Sequence, residues 1–131
     1  MVLDLELLPG DYAVCRLPAG APVPAGLKAD LGVVSVTFTP SEVSIMCPAD
    51  QARDVVEPAG AVVETPWRCF RVDGLVNLAQ TGILASLVVP LAEARVNIFA
   101  FSTFDTDYLL VPAVRVAEAR AALIAAGHRF S

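Results

Sequence analysis

Apolar and polar positions change their spacing along the chain, and the change separates predicted strands from predicted helices. Residues 96–101 (VNIFAF) and 108–111 (YLLV) are apolar runs flanking the polar segment Ser102-Thr103-Phe104-Asp105-Thr106-Asp107. Runs rich in Val, Ile, Phe and Tyr suit a pleated, buried sheet, so strand, polar turn, strand is predicted there. Residues 67–73 predict another strand, ending at Gly74. From about Gln80 to Ala94, Ile83, Leu84, Leu87, Val88 and Leu91 recur at three- and four-residue spacing, which predicts a helix with one apolar stripe. Asn77 or Thr81 is placed to cap its start, and Pro90 inside it removes one backbone hydrogen bond and adds a bend. A second helix is predicted over residues 114–126, Ala-rich, with Arg115, Glu118 and Arg120 on its outer face and Gly127 as its stop. His128-Arg129-Phe130 then makes a final edge strand. The order is β-α-β-β-α-β, four antiparallel strands in one layer and two helices in the other.

The first half is less regular. Residues 12–17 alternate like a strand, and a loop with Pro18, Gly20, Pro22, Pro24 and Gly26 follows. Residues 33–39 and 42–47 predict a hairpin around Thr39-Pro40-Ser41. Between loop and hairpin only residues 25–30 have room for a short helix, and residues 53–64 read as a connector with a short strand at 61–64. Strand, short helix, hairpin is a degraded copy of the second half. The chain therefore reads as an α+β protein of tandem ferredoxin-like units, with a degenerate half over 1–60 and a complete unit over 61–131.

Composition narrows the function. Of the 131 residues 56% are hydrophobic, more than a small monomer easily hides, which points to burial against a partner subunit and an expected homodimer. A formal charge of -5 argues against nucleic acid, which needs clustered Lys and Arg. No basic amphipathic segment points to a membrane surface, and the apolar stretch 82–92 is too short to span a bilayer. No positive region precedes an apolar run near Met1, so no signal peptide is expected and a cytoplasmic location is. Cys15, Cys47 and Cys69 are widely spaced, without the close pairs that metal sites favour, and read as free buried thiols in a reducing compartment.

Two stretches carry a family resemblance. Thr81-Gly82-Ile83-Leu84-Ala85, the closing Leu91-Ala92-Glu93-Ala94, and the run into Asn97-Ile98 resemble the signature of ACT domains, small-molecule-sensing modules of amino-acid metabolism. The match extends through residues 102–108. With residues 67–74 upstream it resembles the stand-alone ACT proteins related to aspartate-kinase regulatory domains and CASTOR-type arginine sensors. The family usually has Gly where Arg95 stands, ending the first helix in a left-handed conformation; a non-Gly residue there costs about 1 kcal/mol.

The resemblance implies a regulatory, non-catalytic protein that binds a free amino acid across a subunit or repeat interface and signals allosterically to another protein. Carried onto this chain, the ligand-binding residues are Asp73, Gly74 and Leu75 in the strand–helix loop, Thr81, Gly82 and Ile83 at the helix entry, and Thr103, Phe104, Asp105 and Thr106 facing them. Helix-entry N–H groups suit an α-carboxylate, and the carboxylates of Asp73, Asp105 or Asp107 suit an α-ammonium or a cationic side chain. Three acids lean the ligand toward arginine or lysine, with Phe104 as a pocket wall. Asp105 suits turn formation as well as ligand binding, and Asp107, directly before a strand, leans toward a structural role. No cofactor is implied. Two other readings stand beside this one: a ligand-free structural or dimerisation module, and an enzyme using Asp73, Asp105 and Asp107, which lacks a basic partner and a histidine beside them. Trp67 reads as a core residue, and His128 and Ser86 stand outside any nucleophile motif.

Overall fold

The computed structural model describes residues 1–74 and 81–131. In chain order its elements are β1 (Asp4–Leu7), β2 (Tyr12–Pro18), β3 (Ser35–Phe38), β4 (Glu42–Pro48), and α1 (Ala49–Gln51), which continues through a π turn (Ala52–Val56) and a 3-10 turn (Glu57–Ala59). Then come β5 (Val62–Val72), α2 (Ile83–Glu93), β6 (Phe99–Ser102), β7 (Asp107–Pro112), a 3-10 turn (Ala113–Arg115), α3 (Val116–Ala125) and β8 (Arg129–Phe130). These elements gather into two compact units. One is split in sequence, Met1–Leu8 with Arg68–Ser131, and the other is the segment between them, Pro9–Trp67. A cut at residue 60 would have left Met1–Leu8 with the wrong neighbours, because β1 pairs with strands of the later segment.

The split unit has the expected β-α-β-β-α-β order in β5-α2-β6-β7-α3-β8, plus one strand that the sequence reading did not predict. Its strands run in the order β6-β7-β5-β1-β8. β1 lies antiparallel to β5, with Leu5 opposite Val72 and Leu7 opposite Phe70, and parallel to β8, with Leu5 opposite Phe130. The alternation of Leu3, Leu5 and Leu7 with Asp4 and Glu6 is the period-two signal for that strand. Leu5, Phe70, Val72, Leu109 and Val111 from the sheet meet Leu87 and Leu91 of α2 and Ala119 and Leu123 of α3 in one buried cluster. Each large side chain there is worth about 1.5–3 kcal/mol of burial.

Both helices end the same way. After α2, Val96 N–H donates to the Leu91 carbonyl (3.0 Å) and Arg95 N–H to the Ala92 carbonyl (3.0 Å), while Arg95 sits at φ +59°. After α3, His128 N–H reaches Leu123 O and Gly127 N–H reaches Ile124 O, with Gly127 at φ +100°. This is the paired bonding of a Schellman stop, which needs a left-handed residue. Arg95 therefore makes with a side chain the left-handed turn that glycine makes after α3. Arg115, expected on an outer helix face, instead lies just before α3 and donates to the carbonyls of Ala94 and Arg95, where a cation also meets the negative end of α2.

Pro90 does cost α2 a bond: it has no N–H for the Ser86 carbonyl four residues back. His128 fills that gap. Its Nε2 lies 2.9 Å from Ser86 O, and its Nδ1 accepts from Leu3 N–H at 3.1 Å. Nδ1 as acceptor and Nε2 as donor define a neutral imidazole with its proton on Nε2. The ring is only 3% exposed, so it is a buried bridge between the entry to β1, the middle of α2 and the end of α3.

The inserted unit orders its strands β3-β4-β2-β5, using the first part of β5. Ala13, Cys15 and Leu17 face Val43, Ile45 and Cys47 in a second buried cluster completed by Ala52 and Val56. The helix expected at residues 25–30 is absent. Gly26 and Asp30 both take positive φ there, and helical turns form instead at 49–59, after the hairpin, where a connector was expected. Pro48 precedes that helical stretch and Asp50 sits in its first turn, both favourable at a helix start. The unit is thus degenerate, with no helix between its first two strands. All three cysteines are free and buried. Burial pushes the Cys69 thiol up to about 12. A thiol–thiol hydrogen bond lowers Cys15 and raises Cys47, which burial raises further.

Two stability outcomes are expected. Arg95→Gly removes a left-handed side-chain penalty of about 1 kcal/mol, and should raise Tm by roughly 3–5 °C in a calorimetric scan; an unchanged or lower Tm would contradict the shared helix-stop account. His128→Ala leaves Leu3 N–H and Ser86 O unpartnered and should cost roughly 2–3 kcal/mol by denaturant titration. In a Pro90→Ala background α2 recovers its own donor, so the same substitution should cost about 1 kcal/mol less. Strict additivity of the two changes would sink the bridge.

Candidate ligand-binding site

β5 leaves the sheet at Val72, and the β6–β7 hairpin turns back beside it. The turn is fastened by Thr103 and Thr106: Thr103 N–H donates to Thr106 O at 2.9 Å, and Thr106 N–H reaches Thr103 Oγ1 at 3.4 Å. Thr106, only 8% exposed, donates its hydroxyl to Val72 O at 2.7 Å, pinning the hairpin to the exit of β5. Ser102 Oγ donates to the Asp107 carboxylate across the last rung of the hairpin. Asp107 is thereby committed to the turn.

Between strand exit and hairpin lies a cleft of about 250 Å³, lined by Arg71, Val72, Gly74, Thr103, Asp105, Thr106 and Tyr108. Four residues named from the sequence, Gly74, Thr103, Asp105 and Thr106, meet there. Asp73 is adjacent: its carboxylate takes Gly74 N–H at 3.1 Å and lies 3.5 Å from Arg71 Nη2, while its own N–H donates to Asp4 O at 2.8 Å. Gly74 turns at φ +80°, a conformation that favours glycine.

The remaining named residues are elsewhere. Leu75 and the cap candidate Asn77 fall outside the described residues. Thr81 is exposed and does not cap α2; Gly82 takes the N-cap position at φ +82°, and no side chain caps the helix. Ile83 is 5% exposed and packs inward from the first turn. None of these three lines the cleft. Phe104, expected as a pocket wall, is 80% exposed at the hairpin tip.

Sequence reasoning missed Arg71 and Tyr108. Arg71 alternates with the core residues Phe70 and Val72, so its opposite face was readable, but its neighbours were not without β1. Nη2 of Arg71 contacts the carboxylates of Glu6 on β1 and of Asp73. Tyr108 stacks on Phe101 with ring centroids 5.1 Å apart. Among the described residues the Asp105 carboxylate and the Tyr108 hydroxyl have no hydrogen-bond or ion-pair partner. Nor is any group of three or more His, Cys, Asp or Glu placed there to hold a metal ion.

A larger cleft, about 480 Å³, lies in the inserted unit between residues 9–12, 29–32 and 48–51. Gln51 ties that region together by donating to Lys28 O and accepting from Lys28 N–H. Gly32 is required there, since a Cβ would come within 1.8 Å of the Tyr12 hydroxyl, which accepts from Val33 N–H. None of the residues named from the sequence lies in it. The smaller cleft, where they gather, is the candidate site.

Residues 62–125 match the family model of the ACT domain. A protein of Agobacterium tumefaciens with a crystal structure is 34% identical, at a TM-score of 0.88 over 100% of this chain and 93% of that one. The regulatory subunit of aspartate kinase from Thermus flavus shares the fold at 14% identity, with a TM-score of 0.69 over 95% of this chain and 97% of that one. A Vibrio cholerae protein of unknown function is 20% identical, with a TM-score of 0.69 over 95% of this chain and 89% of that one. No curated protein matches the chain. With the β-α-β-β-α-β order in agreement with the matched segment 62–125, the chain carries an ACT domain.

Proposed function

We propose that this protein is a non-catalytic regulator that binds a free amino acid in the cleft at the exit of β5 and passes the signal to another protein. The observation that carries the reading is the cleft itself. It gathers four residues named from the sequence with Arg71, and it holds a carboxylate, Asp105, that no described residue engages. Small polar metabolites suit its volume, which falls below the roughly 300–1,000 Å³ of drug-sized sites. The aspartate kinase regulatory subunit of Thermus flavus shares this fold, which fits a regulatory role. Arginine or lysine remains the favoured ligand class, because Glu6, Asp73 and Asp105 outnumber Arg71 around the cleft.

The working form in this proposal is a homodimer in the cytoplasm. β6 is a sheet edge, paired on one side by β7 among the described residues, and Phe99 and Phe104 are exposed on or beside it. Sheet edges and exposed aromatic side chains of this kind favour recruitment of a further strand or subunit. Three free buried thiols suit a reducing compartment. Among the described residues no helix is long and apolar enough to cross a membrane.

A thermal-melt screen against the twenty amino acids at millimolar concentration tests the reading. A ligand at 100 times its Kd adds about 2.7 kcal/mol, so one or two amino acids should raise Tm by several degrees. Asp105→Ala should abolish that shift while leaving the unliganded Tm unchanged. A flat panel would contradict amino-acid sensing and favour the structural or dimerisation module. A response to a divalent ion instead would favour a carboxylate-based enzyme.

A further inference from the structure

We infer that Arg71 is the residue that selects the ligand's carboxylate, so that the cleft accepts a zwitterion and rejects both the matching amine and the matching keto acid. This rests on the amino-acid reading above and adds the residue that sets its specificity. Among the described residues lining the cleft, Arg71 is the one permanent cation. Both of its carboxylate contacts, to Glu6 and Asp73, run through Nη2. Among the described residues Nε and Nη1 have no protein acceptor, although the side chain is only 35% exposed. A guanidinium carries five donors in a rigid planar fork suited to a carboxylate. Here one nitrogen is spent on positioning, and among the described residues the other two have no protein acceptor.

The two acids that contact Arg71 have two effects. They fix the guanidinium before a ligand arrives, which lowers the ordering cost of binding. They also offset its charge, so with Asp105 the surroundings carry three carboxylates against one cation. A ligand bringing only negative charge is therefore repelled, and one bringing only an ammonium leaves the Arg71 donors unmet. An α-amino acid satisfies both sets, its carboxylate on Arg71 and its ammonium on Asp105, with the Tyr108 hydroxyl beside them. The same acid excess ranks basic and neutral amino acids above aspartate and glutamate.

The test measures melts and calorimetric Kd values of the full chain with the twenty amino acids, the amines agmatine and cadaverine, and 5-guanidino-2-oxopentanoate, the keto acid of arginine. Wild-type protein should respond to at least one amino acid and to none of the other three. Arg71→Gln should weaken that amino acid by about ten- to hundredfold, the loss of a charge-assisted pair. Because Arg71→Gln also frees Glu6 and Asp73, Arg71→Lys serves as the second variant. It keeps the charge and loses the fork, and should weaken binding by about tenfold with an unchanged circular dichroism spectrum. Amino-acid binding within twofold of wild type in a folded Arg71→Lys and Arg71→Gln would overturn the role of Arg71 and leave amino-acid sensing intact. No response of the wild-type chain to any amino acid would overturn both.

Discussion

The backbone of β1 is held along both edges, and much of the split unit hangs on it. On one side Leu5 and Leu7 pair with Val72 and Phe70 of β5, and on the other Leu5 pairs with Phe130 of β8. Around these rungs, Leu8 N–H reaches Cys69 O, Asp73 N–H reaches Asp4 O, and Ser131 N–H reaches Leu5 O. Leu5 itself is fully buried in the core between sheet and helices. His128 adds the third dimension, tying Leu3 N–H to the carbonyl that Pro90 orphans in α2. A strand stitched on both edges and by one buried side chain leaves few unsatisfied groups, as burial in a sheet requires.

β1 also shapes the cleft without lining it. Asp4 O fixes the amide of Asp73 where β5 ends, and Glu6 takes the Arg71 guanidinium. The hairpin is fixed independently by the Thr106 hydroxyl on Val72 O. Strand exit and hairpin turn are thus held by backbone-directed bonds, while Asp105 and part of Arg71 stay uncommitted. Rigid support beneath a few unsatisfied charged groups is the arrangement that favours binding a small charged ligand.

The sequence made the regular part of this unit legible. The apolar spacing of Ile83, Leu87 and Leu91, the aromatic and β-branched runs around the polar turn, and Gly127 as a stop all describe local rules that the fold obeys. Residues 102–106 were legible as a polar turn for the same reason, since polar residues between buried strands need somewhere to go. What the sequence hid was non-local. Arg71 gains its meaning from Glu6, 65 positions away, and His128 from Ser86 and Leu3. The carboxylates of the turn stand together in the sequence, whereas Arg71 reaches the cleft from β5. Helix placement in the inserted unit was missed because Pro24, Gly26 and Asp30 disfavour a helix before the hairpin, and the helical turns after Pro48 are too short to carry a clear period.

The central claim, that β1 is an integral strand of the ACT unit and braces its cleft, is tested most directly by native-state hydrogen exchange read residue by residue. The account predicts that the amides of Leu3, Leu8, Asp73, Arg129 and Ser131 exchange as one cooperative group with the core amides of β7 and α3, at similar opening free energies. Fast exchange of Leu3 and Leu8 while β7 and α3 stay protected would contradict it.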